Sequence, residues 1–204
     1  MTEQTDHYFS AEPATPEERR RIEVRLDGRD LRLWTARGVY SPDRLDPGTA
    51  VLLAGAPDPS PTGNLLDIGC GWGPISLTMA LRSPGAHVWG VDVNRRSLDL
   101  SRANAAEAGV SNVTFSEPDD VPADVRFDTI WSNPPIHVGK AALHALLERW
   151  LPRLTDAGVA HLVVQKHLGS DSLQKWINTQ DWGMACTRLS SAKAFRILEV
   201  RRTT

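Results

Sequence analysis

Apolar and polar positions alternate in the first part of this chain, before residue 64. Residues 21–26 place their apolar side chains on one face, Asp27-Gly28 is typical of a tight turn, and an apolar pattern resumes at Leu31. We therefore predict a β-hairpin. A helix beginning at residues 15–18, with a threonine cap and a proline in its first turn, is the alternative. A short helix leading into the hairpin satisfies both patterns.

Beyond residue 64 the periodicity alternates between strand and helix, which is typical of a sheet covered by helices on both faces. The predicted strands are 65–68, 87–91, 113–115, 127–132 and 159–164; the predicted helices are 74–81, 95–108, 140–154 and 170–179, the last with Ser170 as a candidate cap. A hairpin of 186–189 and 195–200, joined by a loop at 190–192, follows. This pattern predicts an α/β fold, with a parallel sheet closed by an antiparallel pair.

The predicted organisation is an N-terminal arm and hairpin, 1–45, packed on a main domain, 46–204. Asp46 is the expected cap of the first helix of that domain, which runs to Leu53. At 204 residues, 41% hydrophobic and 24% charged, the chain fits one compact domain with a substantial core.

Composition and charge narrow the possible functions. No apolar run approaches the roughly 20 residues that cross a bilayer, and the polar first seven residues lack the apolar centre of a signal peptide, so a cytoplasmic protein without membrane contact is expected. A net charge of -2 gives no global footprint for nucleic acid, so such binding requires a local basic patch. The two cysteines have no spacing typical of disulfide frameworks or metal sites, and no metal site is predicted.

A glycine-rich loop follows the first strand of the main domain. Gly69, Gly71 and Gly73 allow a sharp turn close to a ligand, and the next helix points its N-terminus at that ligand. The nicotinamide fingerprint requires a third glycine where this chain has Pro74, which disfavours a dinucleotide. Asp67, ahead of the loop, suits a cofactor with a positive amine. These residues point to S-adenosylmethionine.

Acidic residues follow the next two strands. Asp92 lies about twenty residues past the loop, where a carboxylate can accept hydrogen bonds from a ribose diol. Asp92 could instead cap the following helix, but Asn94 is better placed for that role. Glu117 is the candidate acceptor for the adenine amino group, in competition with Asp119 and Asp120.

The fourth strand ends at Asn133-Pro134-Pro135. Each proline removes a backbone donor and fixes φ, so the chain must leave the sheet there with its carbonyls free to face a ligand. Alone, this motif is an ordinary strand-ending turn. At the fourth strand of a sheet that carries a cofactor loop at its first, it predicts a catalytic segment.

Together these segments resemble the small-domain methyltransferase family, and within it the ribosomal RNA guanine 2-amino methyltransferases of the small subunit. The resemblance covers roughly residues 34–200 and rests on Asp67-Ile-Gly-Cys-Gly-Trp-Gly73, Asp92, Asn133-Pro-Pro-Ile136-His137-Val-Gly-Lys140 and Gly38-Val-Tyr40-Ser41. The resemblance implies the seven-stranded class I methyltransferase (Rossmann-like) sheet, with Tyr40 lining the site.

The chemistry that this resemblance implies is methylation of an exocyclic amine. Such an amine is a poor nucleophile because its lone pair is delocalised into the ring. The Asn133 side-chain oxygen and the Pro134 carbonyl, accepting from its two hydrogens, would favour the pyramidal form and offset developing charge. Pro135 and Ile136 complete the catalytic segment, and Asn133 is also expected to contact the cofactor. No metal or covalent intermediate is needed.

One position departs from the family pattern. Relatives that methylate bases usually carry an aromatic residue where this chain has Ile136, and it stacks on the target base. Isoleucine offers no π-face. Either Tyr40 or Trp72 is the expected substitute, unless the substrate geometry differs.

Basic residues beyond the strands are candidates for substrate binding. Lys140, at the start of a helix, and Lys166, after the fifth strand, could meet phosphates. His137 is a candidate proton acceptor after transfer, although a hydrogen-bonded loop histidine is the more common outcome. A local RNA-binding patch would combine Lys140 and Lys166 with His167, Lys193 and Arg196.

The predicted function is therefore S-adenosylmethionine-dependent methylation of a guanine amine in ribosomal RNA, with the RNA or a ribosomal particle as partner. Enzymes that methylate an adenine amine or a protein glutamine amide are the nearest alternatives. A cofactor-binding RNA module without turnover is an alternative from another class, and a nicotinamide oxidoreductase is opposed by Pro74.

Overall fold

The computed structural model describes residues 17–203 of the chain. Within these residues there are nine strands, β1 Arg19–Leu26, β2 Arg29–Ala36, β3 Thr62–Ile68, β4 Gly85–Val91, β5 Val113–Ser116, β6 Phe127–Ser132, β7 Leu154–Gln165, β8 Met184–Ala192 and β9 Phe195–Arg202. The α-helices of the described part of the chain are α1 Pro47–Gly55, α2 Pro74–Arg82, α3 Arg95–Ala108, α4 Lys140–Trp150 and α5 Ser170–Asn178.

The main sheet has seven strands in the order β5-β4-β3-β6-β7-β9-β8. The first five of these are parallel, whereas β9 runs antiparallel to both β7 and β8. The predicted α/β class, with a parallel sheet closed by a terminal antiparallel hairpin, is confirmed. Neighbouring parallel strands are joined by crossover connections, which are usually helices. Helices therefore cover both faces of the sheet.

Two hydrophobic layers lie on opposite faces of this sheet. The first joins α1, α2, α3 and the inner face of the β1-β2 hairpin, and the second joins α4 and α5 to the other face. Consecutive residues of β3 divide between them, because Leu65 belongs to the first layer and Leu66 to the second. Both side chains are fully buried, as expected for a central strand.

The β1-β2 hairpin forms a separate two-stranded sheet, as predicted. Glu17 and Glu18 are not helical and lead directly into β1, while residues 15 and 16 of the alternative helix lie outside the described residues. Asn104 of α3 holds the hairpin: its Oδ1 accepts from Trp34 N at 2.6 Å and its Nδ2 donates to Trp34 O at 2.9 Å. The division at residue 45 stays a prediction.

Several predicted boundaries were wrong. The helix predicted over 140–154 ends at Trp150, because Pro152 belongs to a short 3-10 turn, and β7 begins at Leu154. Gly169, not Ser170, is the N-cap of α5. The loop predicted at 190–192 is part of β8, and the chain turns instead at Lys193, whose φ is +53°.

Within residues 17–203, every helix is too short or too polar to traverse a bilayer.

Candidate active site

The carboxyl ends of β3, β4 and β6 meet at one edge of the sheet, where a cavity of about 160 Å3 opens. In open α/β sheets, ligands bind at this edge, beyond the carboxyl ends of the strands. Predicted site residues line the cavity from all three strand ends and from the loop between β2 and α1: Tyr40, Gly69, Asp92, Asn133, Pro134, Pro135, Ile136 and His137. The sheet therefore assembles eight of the predicted residues around one space.

The glycine loop turns as its sequence predicts. Gly69 has a φ of +76° and Gly71 a φ of +56°, and a Cβ at either position would meet no protein atom within 4 Å. The backbone donates from Gly69 N to Val91 O at 2.8 Å, and from Gly71 N to Asp92 Oδ2 at 2.8 Å. These bonds fix the loop against the end of β4 and leave open space above it.

Gly73 and Asp67 lie behind this loop, and neither lines the cavity. Gly73 is the N-cap residue of α2, with a φ of +98°, and has no side chain to cap the helix. Asp67 takes that role from β3, since its Oδ2 accepts from Ser76 N at 2.9 Å and from Ser76 Oγ at 2.6 Å. Gly90 makes room for this pair, because a Cβ there would lie 2.7 Å from Ser76 Oγ.

Asp67 is fully buried, and its Oδ1 has no hydrogen-bond partner among the described residues. Burial raises the pKa of this carboxyl from 3.8 to about 7, despite the opposing hydrogen bonds from Ser76. Its predicted contact with a positive amine stays a prediction. The structure adds a structural role as the cap of α2.

Asp92 lines the cavity at the end of β4. Its Oδ1 accepts from Asn94 N at 2.9 Å and its Oδ2 from Gly71 N. Asn94 caps α3, since its side chain accepts from Ser97 N at 3.2 Å, so Asp92 is not needed as the helix cap. Burial raises the pKa of Asp92, and backbone hydrogen bonds from Asn94, Gly71 and Val93 oppose this. Asp92 thus presents a fixed acceptor beside the glycine loop.

Glu117 is absent from the cavity lining, and its Oε1 accepts from Arg95 Nε at 2.8 Å on the surface. Pro118, the next residue, lines the cavity instead, together with Leu146 and Trp150 of α4. These three residues form an apolar wall that sequence reasoning missed. The only available signal was the apolar face of α4, which equally predicted ordinary core packing.

Asn133 follows β6, and its side-chain amide is held at one end. Nδ2 donates to Asp46 Oδ2 at 2.7 Å and to Thr49 Oγ1 at 3.1 Å. Within residues 17–203, Oδ1 receives no hydrogen bond. The amide therefore offers its oxygen, an acceptor, to a ligand in the cavity.

The two aromatic candidates near Asn133 differ in exposure. Trp72 is 2% exposed and donates from Nε1 to Ser41 O at 3.3 Å, so the core occupies its ring faces. Tyr40 is 39% exposed at the cavity mouth, and its hydroxyl donates to Asp46 Oδ1 at 2.8 Å. Of these two candidates, Tyr40 has a ring that a base can reach, and Trp72 does not.

The predicted basic residues are less closely assembled. Neither Lys140 nor Lys166 lines the cavity; Lys140 is exposed at the start of α4, and Lys166 Nζ donates to Lys193 O at 2.7 Å. Arg196 donates to Ser170 Oγ at 3.0 Å and forms an ion pair with Asp171. Internal contacts therefore engage Arg196, while substrate roles for the two lysines stay predictions.

Asp46 is the functional candidate that sequence reasoning recognised only as a helix cap. It does cap α1, accepting from Thr49 N at 2.9 Å. The same carboxylate also binds Tyr40 and Asn133. No sequence signal links Asp46 to Asn133, since 87 positions separate them.

Comparison with known proteins places these residues in a family. The model of the methyltransferase small domain family matches residues 30–199. The uncharacterized protein YbxB of Bacillus subtilis is 33% identical over 171 residues, which cover 82% of this chain and 85% of that protein. The ribosomal RNA small subunit methyltransferase C of Aeromonas hydrophila is 36% identical over 138 residues, covering 67% of this chain and 39% of the relative.

A solved structure has the same fold. The 16S rRNA N2 methyltransferase (RsmC) of T. thermophilus, in complex with AdoMet and guanosine, superposes with a TM-score of 0.74 at 24% identity, over 92% of this chain and 51% of the other. The chain therefore spans about half the length of that protein, and less of the relative from Aeromonas.

Proposed function

Since this chain belongs to the methyltransferase small domain family, we propose that it transfers a methyl group from S-adenosylmethionine to the 2-amino group of a guanine in ribosomal RNA. The coarser assignment, a methyltransferase that uses S-adenosylmethionine, follows from the family. The exocyclic amine as methyl acceptor, guanine as the target base and the roles of the individual residues are the parts that we propose.

The residues around the cavity fit this cofactor. Gly69 and Gly71 leave open space above their backbone, where a ligand can approach closely. Asp92 offers a carboxylate suited to a ribose diol, and the partly exposed Pro118 and Leu146 offer an apolar surface suited to a flat base. When bound, the cofactor supplies an electrophilic methyl group on a sulfonium, so no metal is required for the transfer.

The observation that carries the amine assignment is the orientation of the Asn133 amide. A carboxylate can only accept, so the contact with Asp46 requires Nδ2 at that end and leaves Oδ1 for the substrate. An acceptor at this point favours a substrate that brings N–H donors. Asn133 Oδ1 and the Pro134 carbonyl would hold the two amine hydrogens and direct the lone pair away from them.

Positioning of the substrate amine supplies much of the remaining rate acceleration. Holding the amine in line with the methyl group can contribute on the order of 7 kcal/mol. Tyr40 would stack on the target base in place of the aromatic residue missing at Ile136. His137, exposed at the cavity, could accept the proton that the amine loses after transfer.

Two relatives support the choice of ribosomal RNA. One is named as a ribosomal RNA small subunit methyltransferase, and the other is a 16S rRNA N2 methyltransferase with guanosine bound. Because the chain spans only part of each, the substrate remains proposed for this chain. A cytoplasmic location is proposed on the same grounds.

The test compares modified nucleosides in ribosomal RNA from cells with the gene, without it, and complemented with Asn133→Ala. We expect one methylated guanine to disappear on deletion and to return with the wild-type gene only. In vitro, Asn133→Ala should lower kcat by roughly 100-fold, while calorimetry shows that S-adenosylmethionine still binds.

Unchanged guanine methylation after deletion would exclude the substrate. Full complementation by Asn133→Ala would instead exclude the catalytic role of the asparagine. Cofactor binding by the wild-type protein, with no transfer to any RNA, would favour the non-catalytic RNA module.

A further inference from the structure

Asp46 forms hydrogen bonds with two side chains of the candidate site, Tyr40 and Asn133. Its Oδ1 accepts from the Tyr40 hydroxyl at 2.8 Å, and its Oδ2 accepts from Thr49 N at 2.9 Å and from Asn133 Nδ2 at 2.7 Å. A helix cap needs only the bond from Thr49. The two other bonds require a separate explanation.

The bond to Asn133 decides which end of that amide faces the cavity. The two ends of an asparagine amide have nearly the same size and opposite hydrogen-bonding character. With the Asp46 carboxylate and Thr49 Oγ1 on one side, the nitrogen must lie there. Without that carboxylate, the amide could rotate and present hydrogens to the amine, which would repel it.

The bond to Tyr40 fixes the other side of the cavity. Tyr40 is 39% exposed, so the core does not enclose its ring. A hydrogen bond at the hydroxyl limits its rotamers before substrate arrives, which lowers the entropy lost on binding. The same carboxylate therefore sets the position of a stacking surface relative to a hydrogen-bond acceptor.

We propose that Asp46 is a positioning residue that orients Asn133 and Tyr40 together for methyl transfer. This inference rests on the proposed function. Asp46 is absent from the lining of the cavity of about 160 Å3, and it lines a smaller cavity beside Tyr40 and Asn133. It acts through the geometry of the two side chains that it binds.

Two substitutions of Asp46 distinguish its positioning of Tyr40 and Asn133 from its capping of α1 and from the effect of its negative charge. Asp46→Ser keeps a side-chain oxygen that caps α1 but cannot reach Tyr40 or Asn133. Asp46→Asn keeps an oxygen for Thr49 and Asn133, and the tyrosine hydroxyl can reverse its role to accept from the new amide. We expect Asp46→Ser to lower kcat roughly 100-fold, whereas Asp46→Asn should restore most of the loss.

The matched control is Asp43→Ser, which removes an equal charge from the same loop. Asp43 is exposed and forms an ion pair with Arg20, away from the cavity. The kcat of Asp43→Ser should equal that of the wild type. Activity is measured as transfer of labelled methyl groups to ribosomal RNA from a strain lacking the gene, and calorimetry gives the affinity for S-adenosylmethionine.

A second readout does not depend on catalysis. The Nδ2 hydrogens of Asn133, assigned in NMR spectra by their absence in Asn133→Ala, should exchange slowly in the wild type, Asp43→Ser and Asp46→Asn, and rapidly in Asp46→Ser. This measurement decides the inference even if no RNA is methylated, so the two proposals fail separately.

Three results would overturn the inference. The first is a kcat for Asp46→Ser close to that of the wild type. The second is slow exchange of the Asn133 amide hydrogens in that variant. The third is a loss of kcat in Asp46→Asn as large as in Asp46→Ser, which would assign the effect to the lost charge.

Discussion

At the scale of single residues, exposure decides which aromatic side chain can replace the one missing at Ile136. Sequence left Tyr40 and Trp72 equally possible. In the fold, Trp72 is a buried core residue, and Tyr40 stands at the cavity mouth with its hydroxyl bound to Asp46. The stacking role therefore belongs to Tyr40 in the proposed mechanism.

We predict that Tyr40→Ala raises the KM for RNA by roughly tenfold, because stacking contributes about 1–3 kcal/mol per base. Tyr40→Phe keeps the ring and loses the hydroxyl contact, so its KM should rise less. Steady-state kinetics with ribosomal RNA measure both. An unchanged KM in Tyr40→Ala would remove the stacking hypothesis.

At the scale of elements, one asparagine connects the N-terminal hairpin to the cofactor loop. Asn104 of α3 is fully buried; it binds both backbone groups of Trp34 and also donates to Trp72 O at 2.8 Å. The hairpin contributes to the site indirectly, because α3 also packs beneath the glycine loop, where Ser101 Oγ donates to Gly71 O at 2.7 Å.

We predict that Asn104→Ala lowers the free energy of unfolding by about 2–4 kcal/mol, because one buried and two partly buried backbone groups lose their partner. Urea denaturation measures the change. The control on the same helix is Asp99→Ala, which removes an exposed ion pair with Arg102 and should cost less than about 0.5 kcal/mol. Equal losses in both variants would contradict the role of Asn104.

At the scale of the whole molecule, the buried carboxyl of Asp67 couples folding to pH. Its pKa is about 7 in the folded protein, against an ordinary value of 3.8. Between these values the folded state binds a proton that the unfolded state does not. The contribution of Asp67 is therefore most favourable below the lower pKa, and decreases as pH rises to about 7.

We predict that Asp67→Asn gains stability relative to the wild type as pH rises through this window, by up to about 1.4 kcal/mol per pH unit. Urea denaturation of both proteins between pH 4.5 and 8 gives the difference in their free energies of unfolding. The contributions of the other titrating groups cancel in this difference. Parallel stability curves would show that Asp67 keeps its ordinary pKa in the fold.

The sequence by itself determined the elements and the main chemistry. Its periodicity gave α3 and β6 with their observed bounds, because short-range spacing specifies which face is buried. Its motifs pointed to the glycine loop, because Gly69 and Gly71 have positive φ values that favour glycine, and to Asp92 and Asn133, because each follows the end of a strand. Capping by Asp46 and Asn94 was predictable for the same reason.

Only the tertiary structure decided which of these residues act together. The contact of Asp46 with Asn133, the burial of Trp72 and the apolar wall from α4 all join positions distant in the chain. Local propensity carries no information on such contacts, because they depend on how the sheet and its helices pack. The Asn-Pro-Pro segment ends its strand by local rules, but the direction of its asparagine amide is set by a carboxylate 87 residues earlier.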